Sequence, residues 1–447
     1  MRKTIFHIFN KKSRLIIFVI IIICLILLFK KNIFDISFNS SLQNIPYRWL
    51  LPLSIILFFV LSLSLNQKNR ILFLLYLFTT VVALYSVEFI LINRTPSDIH
   101  YDFAKKHNLQ YDSRSVEAVI KDKSLKGVEV FPFSNGLFFE NDNIHALSGV
   151  SGSNIIHCNE TGEWVFYNSD EFGFNNPFGS FDIKNIQIVG IGDSFTNGYC
   201  LSNNLDFISL IRNEYPKTIN LGMTASGPLR QLAILKEYAM FIKPKVLLWV
   251  FFEGNDLKEL MNENQNLLLK KYLESGFSQN LMKKQWQIDK LLKEYFLDHK
   301  IKKIEPDNNF SIDKFIFLDA LRTNLGLYKD ISQTNNIDLN LLETILIQAK
   351  NITNDWGGKM IFVYIPSIER YRGFRERNRI NKNRGEILEI VKKIGVQLID
   401  IDESISSNKD PLSFYNSRIG YHFNETGNKL LSEVILDSLS SLNILYD

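Results

Sequence analysis

Three apolar runs fall within the first 94 residues, and no other feature limits so strongly what this chain can fold into. Residues 15–29 read LIIFVIIIICLILLF, 49–65 read WLLPLSIILFFVLSLSL and 71–91 read ILFLLYLFTTVVALYSVEFIL. A helix rises about 1.5 Å per residue, so a bilayer core asks for roughly 20 residues. The third run meets that length alone, and the first two meet it by recruiting flanking residues. No small-residue cleavage site follows the first run and two more runs do, which favours a membrane anchor over a removed leader. Three transmembrane helices are therefore expected in a 1–94 anchor.

The basic residues orient that anchor. Arg2, Lys3, Lys11, Lys12 and Arg14 precede the first run, and Lys68 and Arg70 lie between the second and third; Lys30, Lys31 and Arg48 oppose them and are fewer. The bias places the N-terminus in the cytoplasm and everything after the third run outside it. Charge is also partitioned. Of 51 Lys and Arg and 47 Asp and Glu, the first 94 residues hold 11 bases and two acids, Asp35 and Glu88. The remaining 40 bases and 45 acids leave the rest of the chain mildly acidic, which argues against a nucleic-acid partner. Of three cysteines, Cys24 lies in a span, while Cys158 and Cys200 either pair in an oxidising compartment or stay as two buried thiols.

Residues 95–183 do not make a complete domain. A polar stretch with helical spacing at 100–126 precedes an interrupted strand at 128–139, and the tetrapeptide NETG (159–162) turns between two strand-like runs, as in a hairpin. The segment is expected to pack as an N-terminal elaboration on the domain that begins at 184. From 184 onward, short apolar runs alternate with amphipathic stretches: strands are expected at 186–191, 218–221, 246–252, 360–365 and 396–401, and helices at 205–214, 229–242, 339–354, 385–394 and 425–442. Five such cycles predict a parallel sheet covered on both faces, a three-layer α/β/α sandwich of flavodoxin-like type. Residues 257–338 break the rhythm and are too long for a plain connection, so they are expected to form a helical insertion serving as a lid or partner surface.

The chemistry-bearing residues sit at strand ends. IQIVGI runs into GDSFTNG, which puts Ser194 just past the first strand, at the sheet edge where open α/β folds bind ligands. After the second strand comes NLGMTASGP with Gly222, after the third FFEGNDL with Asn255, and before the last helix YHFNETGNKLL with His422. Taken singly, each has a plainer reading: Gly222 as turn punctuation, Asn255 as a helix cap, His422 as a surface histidine. In this order, GDS, Gly, G-N-D and His-x-N-x-x-G resemble the SGNH (GDSL-like) hydrolase family over roughly 184–447, apart from the insertion. The preceding SDEFGFNNP is similar to a stretch in membrane-tethered bacterial relatives.

The resemblance implies Ser194 as nucleophile, His422 as its base, and an oxyanion hole built from the Ser194 amide, the Gly222 amide and the Asn255 side chain. A serine hydroxyl needs such a base, and histidine titrates in the right range. The family places an Asp three residues before the His, whereas this chain has Ile419. Asp410 is the nearest upstream acid and is expected to orient His422, with Asp400 and Asp402 as more distant candidates. The run RYRGFRERNRINKNR (370–384) reads as a solvated charged segment in preference to an anion-binding one. No metal set or nucleotide loop is visible, so no cofactor is expected. The function expected is that of an esterase or acyltransferase acting on O-acyl groups, chiefly O-acetyl, of an extracytoplasmic glycan. A transferase would need a multi-span partner to bring the acyl donor. A lipid esterase and a noncatalytic glycan- or partner-binding module are the alternatives.

Overall fold

The computed structural model describes residues 15, 59–93, 96–202, 204–298, 312–316, 318–325, 338–372 and 374–442. The expected spans at 15–29, beyond Leu15, and at 49–58 lie outside these residues. Contacts divide the chain into two compact units: 1–93 with 310–325, and 94–309 with 326–447.

In the first unit, helix α1 (Gln67–Ile92) is apolar all round, and Asn66 caps it by accepting the Asn69 N–H at 3.0 Å. It is the one helix among the described residues long and apolar enough to cross a membrane. Its two buried charges both bond to backbone groups. Arg70 donates to the carbonyls of Leu63, at 3.1 Å, and Leu65. Glu88 accepts the N–H groups of Ala320 and Leu321 at 2.9 and 2.7 Å, as a buried carboxylate must if it is not to stand unpaired.

The second unit opens with helices Pro96–Lys106 and Val116–Leu125, and a small mixed sheet follows. Strands β1 (Val130–Pro132), β2 (Asn154–Ile156) and β3 (Phe166–Asn168) pair in the order β1-β2-β3, the first pair parallel and the second antiparallel. The β2–β3 ladder continues through His157 and Cys158 opposite Val165, closing the hairpin on 159–164. The main sheet comes next: β4 (Ile188–Ile191), β5 (Thr218–Asn220), β6 (Val246–Phe252), β7 (Lys359–Ile365) and β8 (Gln397–Asp400), all parallel, in the order β8-β7-β6-β4-β5. Its strands are buried on both faces, so they read as unbroken apolar runs with period-two division underneath. Val189, Ile191, Leu247, Trp249, Phe251, Phe362 and Tyr364 face one core. Ile188, Val246, Leu248, Val250, Ile361, Val363 and Ile365 face the other. Helices Pro228–Ile234 and Leu339–Asp355 cover the first face, and Phe207–Glu214 and Glu425–Ser441 the second.

The elaboration and the start of the insertion share the first core. Phe131, Ile144, Leu147, Val150, Tyr167 and Phe174 come from the elaboration, and Leu260, Leu269, Tyr272, Leu281, Ile288 and Leu292 from the insertion. Buried Glu237 holds the latter in place, accepting from Tyr272 Oη at 2.6 Å, Ser278 Oγ at 2.9 Å and Leu281 N at 2.8 Å. The 257–338 segment, expected as a lid or partner surface, is thus divided: one side of 257–298 packs into the first core, while Ile312–Ile316 and Asp319–Asn324 pack on α1.

Candidate active site

The chain leaves β4, crosses to β5 on one side, and returns past β4 to β6 on the other. The end of β4 is therefore the point where strand order reverses and a crevice opens. Ser194 lies there, at the first position of the short helix Ser194–Asn197, with Asp193 as N-cap accepting the Phe195 N–H at 2.9 Å. A Cβ at Gly192 would run into Thr196 and Val250, so only glycine lets the turn close this tightly.

His422 arrives from the far end of the chain. Asn424 caps helix Glu425–Ser441 through the Gly427 N–H at 3.0 Å, Phe423 buries its ring in the second core, and the imidazole is left pointing at the β4 end. Its Nε2 lies 2.9 Å from Ser194 Oγ. Its Nδ1 lies 2.9 Å from Oε1 of Glu160. A carboxylate only accepts, so Nδ1 carries the proton and Nε2 is free to accept from the serine hydroxyl. The contact from Ser194 Oγ to Asp193 Oδ2 is longer, at 3.4 Å. Ser194 is only 8% exposed, and the Glu160 and His422 side chains 17% each.

Burial alone would depress the His422 pKa, but the charge and hydrogen bond of Glu160, with the charge of Asp193, outweigh it and hold the imidazole above its ordinary 6.5. Burial likewise opposes ionisation of Glu160, yet the charge and hydrogen bond of His422, and a hydrogen bond from Asn416, keep its pKa below 4.5. Burial pushes the neighbouring His157 down to about 3 and lowers His100 as well. Asp193 is pushed up to about 6 by burial.

Glu160, missed in the sequence, is the second residue of the NETG turn. Asn416 accompanies it: its backbone N–H donates to the His422 carbonyl at 2.9 Å and its Nδ2 to Glu160 Oε2 at 3.2 Å, so one residue fixes both members of the pair. Asp410, expected to orient His422, does not reach it. Both its oxygens bond the exposed Arg418, at 2.6 and 2.7 Å, and the imidazole nitrogen it would need is already taken. Asp400 and Asp402 are also engaged elsewhere. Asp400 pairs with Arg384, and Asp402 accepts from Tyr371 at 2.7 Å and lies 3.6 Å from Arg370. Arg370, expected in a solvated segment, is buried against Glu253.

The expected oxyanion donors divide. Gly222 is placed beside the nucleophile, where a Cβ would strike the backbone of Thr196 and Asn197, but its N–H donates to Asn220 Oδ1 at 2.8 Å and is not free for a substrate. This corrects its expected role: it is a packing glycine under the nucleophile helix. Asn255 stands at the N-cap of helix Asp256–Glu263 without making a side-chain cap bond, so the fold does not use its amide there. Its Oδ1 is buried without a partner among the described residues. The Ser194 N–H sits in the first turn of its helix, where amides have no intrahelical acceptor. The elaboration is also bonded to the segment after β5: Thr224 Oγ1 bonds Asn135 Oδ1 at 3.0 Å, and Arg230 donates to the carbonyls of Asn135 and Ala225 at 2.7 and 2.8 Å. Among the described residues, no cluster of His, Cys, Asp and Glu could hold a metal ion.

No protein-family model matches the chain, and no curated protein matches it. Among solved structures it is similar to an acetyl xylan esterase, at 12% identity over 57% of this chain and 100% of that one, with a TM-score of 0.33. It is also similar to a lipase/acylhydrolase from Enterococcus faecalis (16% identity, 58% and 96% of the two chains, TM-score 0.34). A third is a member of the lipolytic protein G-D-S-L family from Veillonella parvula (11%, 57% and 98%, TM-score 0.32).

Proposed function

We propose that this protein is a membrane-anchored serine ester hydrolase or acyltransferase that works through an acyl-enzyme on Ser194. The observation that carries the reading is the continuous relay from Glu160 to His422 to Ser194, with both links at 2.9 Å. Ser194 Oγ attacks the ester carbonyl as its proton passes to His422 Nε2. The imidazolium then returns that proton to the departing alkoxide, leaving the acyl group on Ser194. Water, or the hydroxyl of an acceptor, reverses the sequence and frees the serine. Glu160 stays ionised throughout and stabilises the imidazolium. The Ser194 amide and the Asn255 side chain are the donors for the developing oxyanion, each worth roughly 3 kcal/mol in the transition state.

The confined setting of the hydroxyl favours a short acyl group such as acetyl, carried on an extracytoplasmic glycan, with a lipid ester as the competing substrate. The noncatalytic alternative rested on the missing acid at Ile419, and Glu160 removes that support. Incubating the full chain in detergent with short- and long-chain acyl esters, alongside a fluorophosphonate probe mapped to its labelled peptide, tests the reading. Turnover of acetyl esters with label on Ser194 is expected; preference for long chains transfers the assignment to lipid esters, and an unlabelled Ser194 overturns it.

The location is part of the proposal. Five basic residues before the first apolar run, helix α1 and a Cys158–Cys200 disulfide all support an extracytoplasmic catalytic unit. A reporter fused after Asp447 is expected to be active only outside the cytoplasm, and cytoplasmic activity would remove the secreted-glycan substrate while leaving the ester chemistry untouched.

A further inference from the structure

We infer that the Cys158–Cys200 disulfide is a positioning device for the active-site carboxylate: it fastens the loop carrying Glu160 to the turn carrying Ser194, and breaking it withdraws Glu160 from His422. Three observations place the bond in that role. Cys158 is two residues before Glu160, Cys200 is six residues after Ser194, and their sulfurs are joined with Cα atoms 5.4 Å apart. The Glu160 backbone N–H itself donates to Cys200 Sγ at 3.2 Å, so the cystine touches the acid-bearing residue directly. On the site side Asn416 holds only the Glu160 side chain, at 3.2 Å, and the loop backbone is otherwise tied towards Asp112: Asn159 Nδ2 donates to the Asp112 carbonyl at 2.6 Å, and the Asp112 N–H to the Gly162 carbonyl at 2.8 Å.

The need for such a tether arises from where the acid originates. Ser194 and His422 stand on elements of the main sheet and its helices, each fixed by a large core. Glu160 stands on the loop of a small-sheet hairpin: one face of that sheet joins the first core through Phe131, Ile155 and Tyr167, the other packs on its own cluster of Val116, Val119, Val130 and Ile156, and the loop itself extends beyond both. A long, flexible carboxylate on a hairpin loop loses its geometry if the loop drifts, and a displacement of about 1 Å can cost 10²-fold in rate. Cys158, at 5% exposed, and Cys200, at 2%, form a buried bond, so thiols cannot be exchanged into it without local opening.

The inference depends on the esterase reading for its effect on turnover and on geometry alone for its effect on His422. The test therefore reads both, in the full chain in detergent, comparing the parent with Cys158→Ala/Cys200→Ala. Histidine-labelled NMR, with His422→Gln to assign the signal, tracks the imidazole titration. Around that ring stand Glu160, Asp193, His100, His157 and Tyr199, of which Glu160 is the group that moves. In the parent, His422 is expected to titrate above 6.5; without the bond it is expected to fall below that value as burial takes over. Turnover is expected to drop roughly 10-fold or more, and in a Glu160→Gln background removing the bond is expected to cost almost nothing further.

A His422 titration that ignores the bond overturns the inference, as does an equal loss in the parent and the Glu160→Gln background, which would mark the bond as general stability. Should the alanine pair fail to fold, a dithiol does the same work on the folded parent: it delivers two electrons and two protons, the cystine becomes two thiols, and the dithiol closes to its cyclic disulfide. If His422 responds to the bond but no ester is turned over, the inference stands and the esterase reading fails.

Discussion

Ser194→Ala is expected to lower ester turnover by roughly 10⁴- to 10⁶-fold, because the relay loses the atom that forms the covalent bond. The same variant should take no label from a fluorophosphonate. Ser226→Ala is the matched control. Ser226 is fully buried in the turn after β5, outside the relay, and its loss should leave labelling and turnover within about twofold of the parent. A labelled Ser194→Ala protein would show that another residue is the nucleophile.

Glu160→Gln should cost roughly 10³- to 10⁴-fold in kcat, since an amide cannot stabilise the imidazolium and permits the wrong tautomer. The pH profile separates this from a folding defect. Catalysis needs neutral His422, so activity in the parent falls as pH drops through an imidazole pKa held above 6.5. Without the Glu160 charge, burial dominates, the pKa falls, and the acidic limb moves to lower pH while the plateau itself drops. Asp410→Asn should leave both limb and plateau within about twofold, because it breaks only an exposed pair with Arg418. A silent Glu160→Gln with an unmoved limb would return the site to a Ser-His dyad.

What sequence reasoning could and could not see divides along contact distance. The five strands of the main sheet were legible because each is an apolar run bounded by turn residues. The expected 246–252 is the observed Val246–Phe252, and 360–365 differs from Lys359–Ile365 by one residue. Ser194 and His422 were legible because their blocks come in the order the family resemblance implies, at matching strand ends; either alone reads as a turn or a helix cap. Glu160 was not, since its partner lies 262 residues away and its own neighbourhood reads as a hairpin turn. A signal did exist. Pairing Cys158 with Cys200 would have carried the NETG turn to the GDS turn and made Glu160 the candidate acid. Gly222 was misread for a different reason: the Asn220 side chain two residues earlier captures its amide, an interaction that no spacing rule reports.

The order in which the three relay residues enter the chain has a consequence for biosynthesis. Glu160 and Ser194 are made early and both lie within the loop that one cystine closes, while His422 comes 228 residues after the serine. An emerging chain therefore holds an acid and a hydroxyl with no base between them until the segment before the last helix, which carries His422, has been made and docked. On the proposed ester chemistry, completion of folding would then also be the step that supplies the serine with its base.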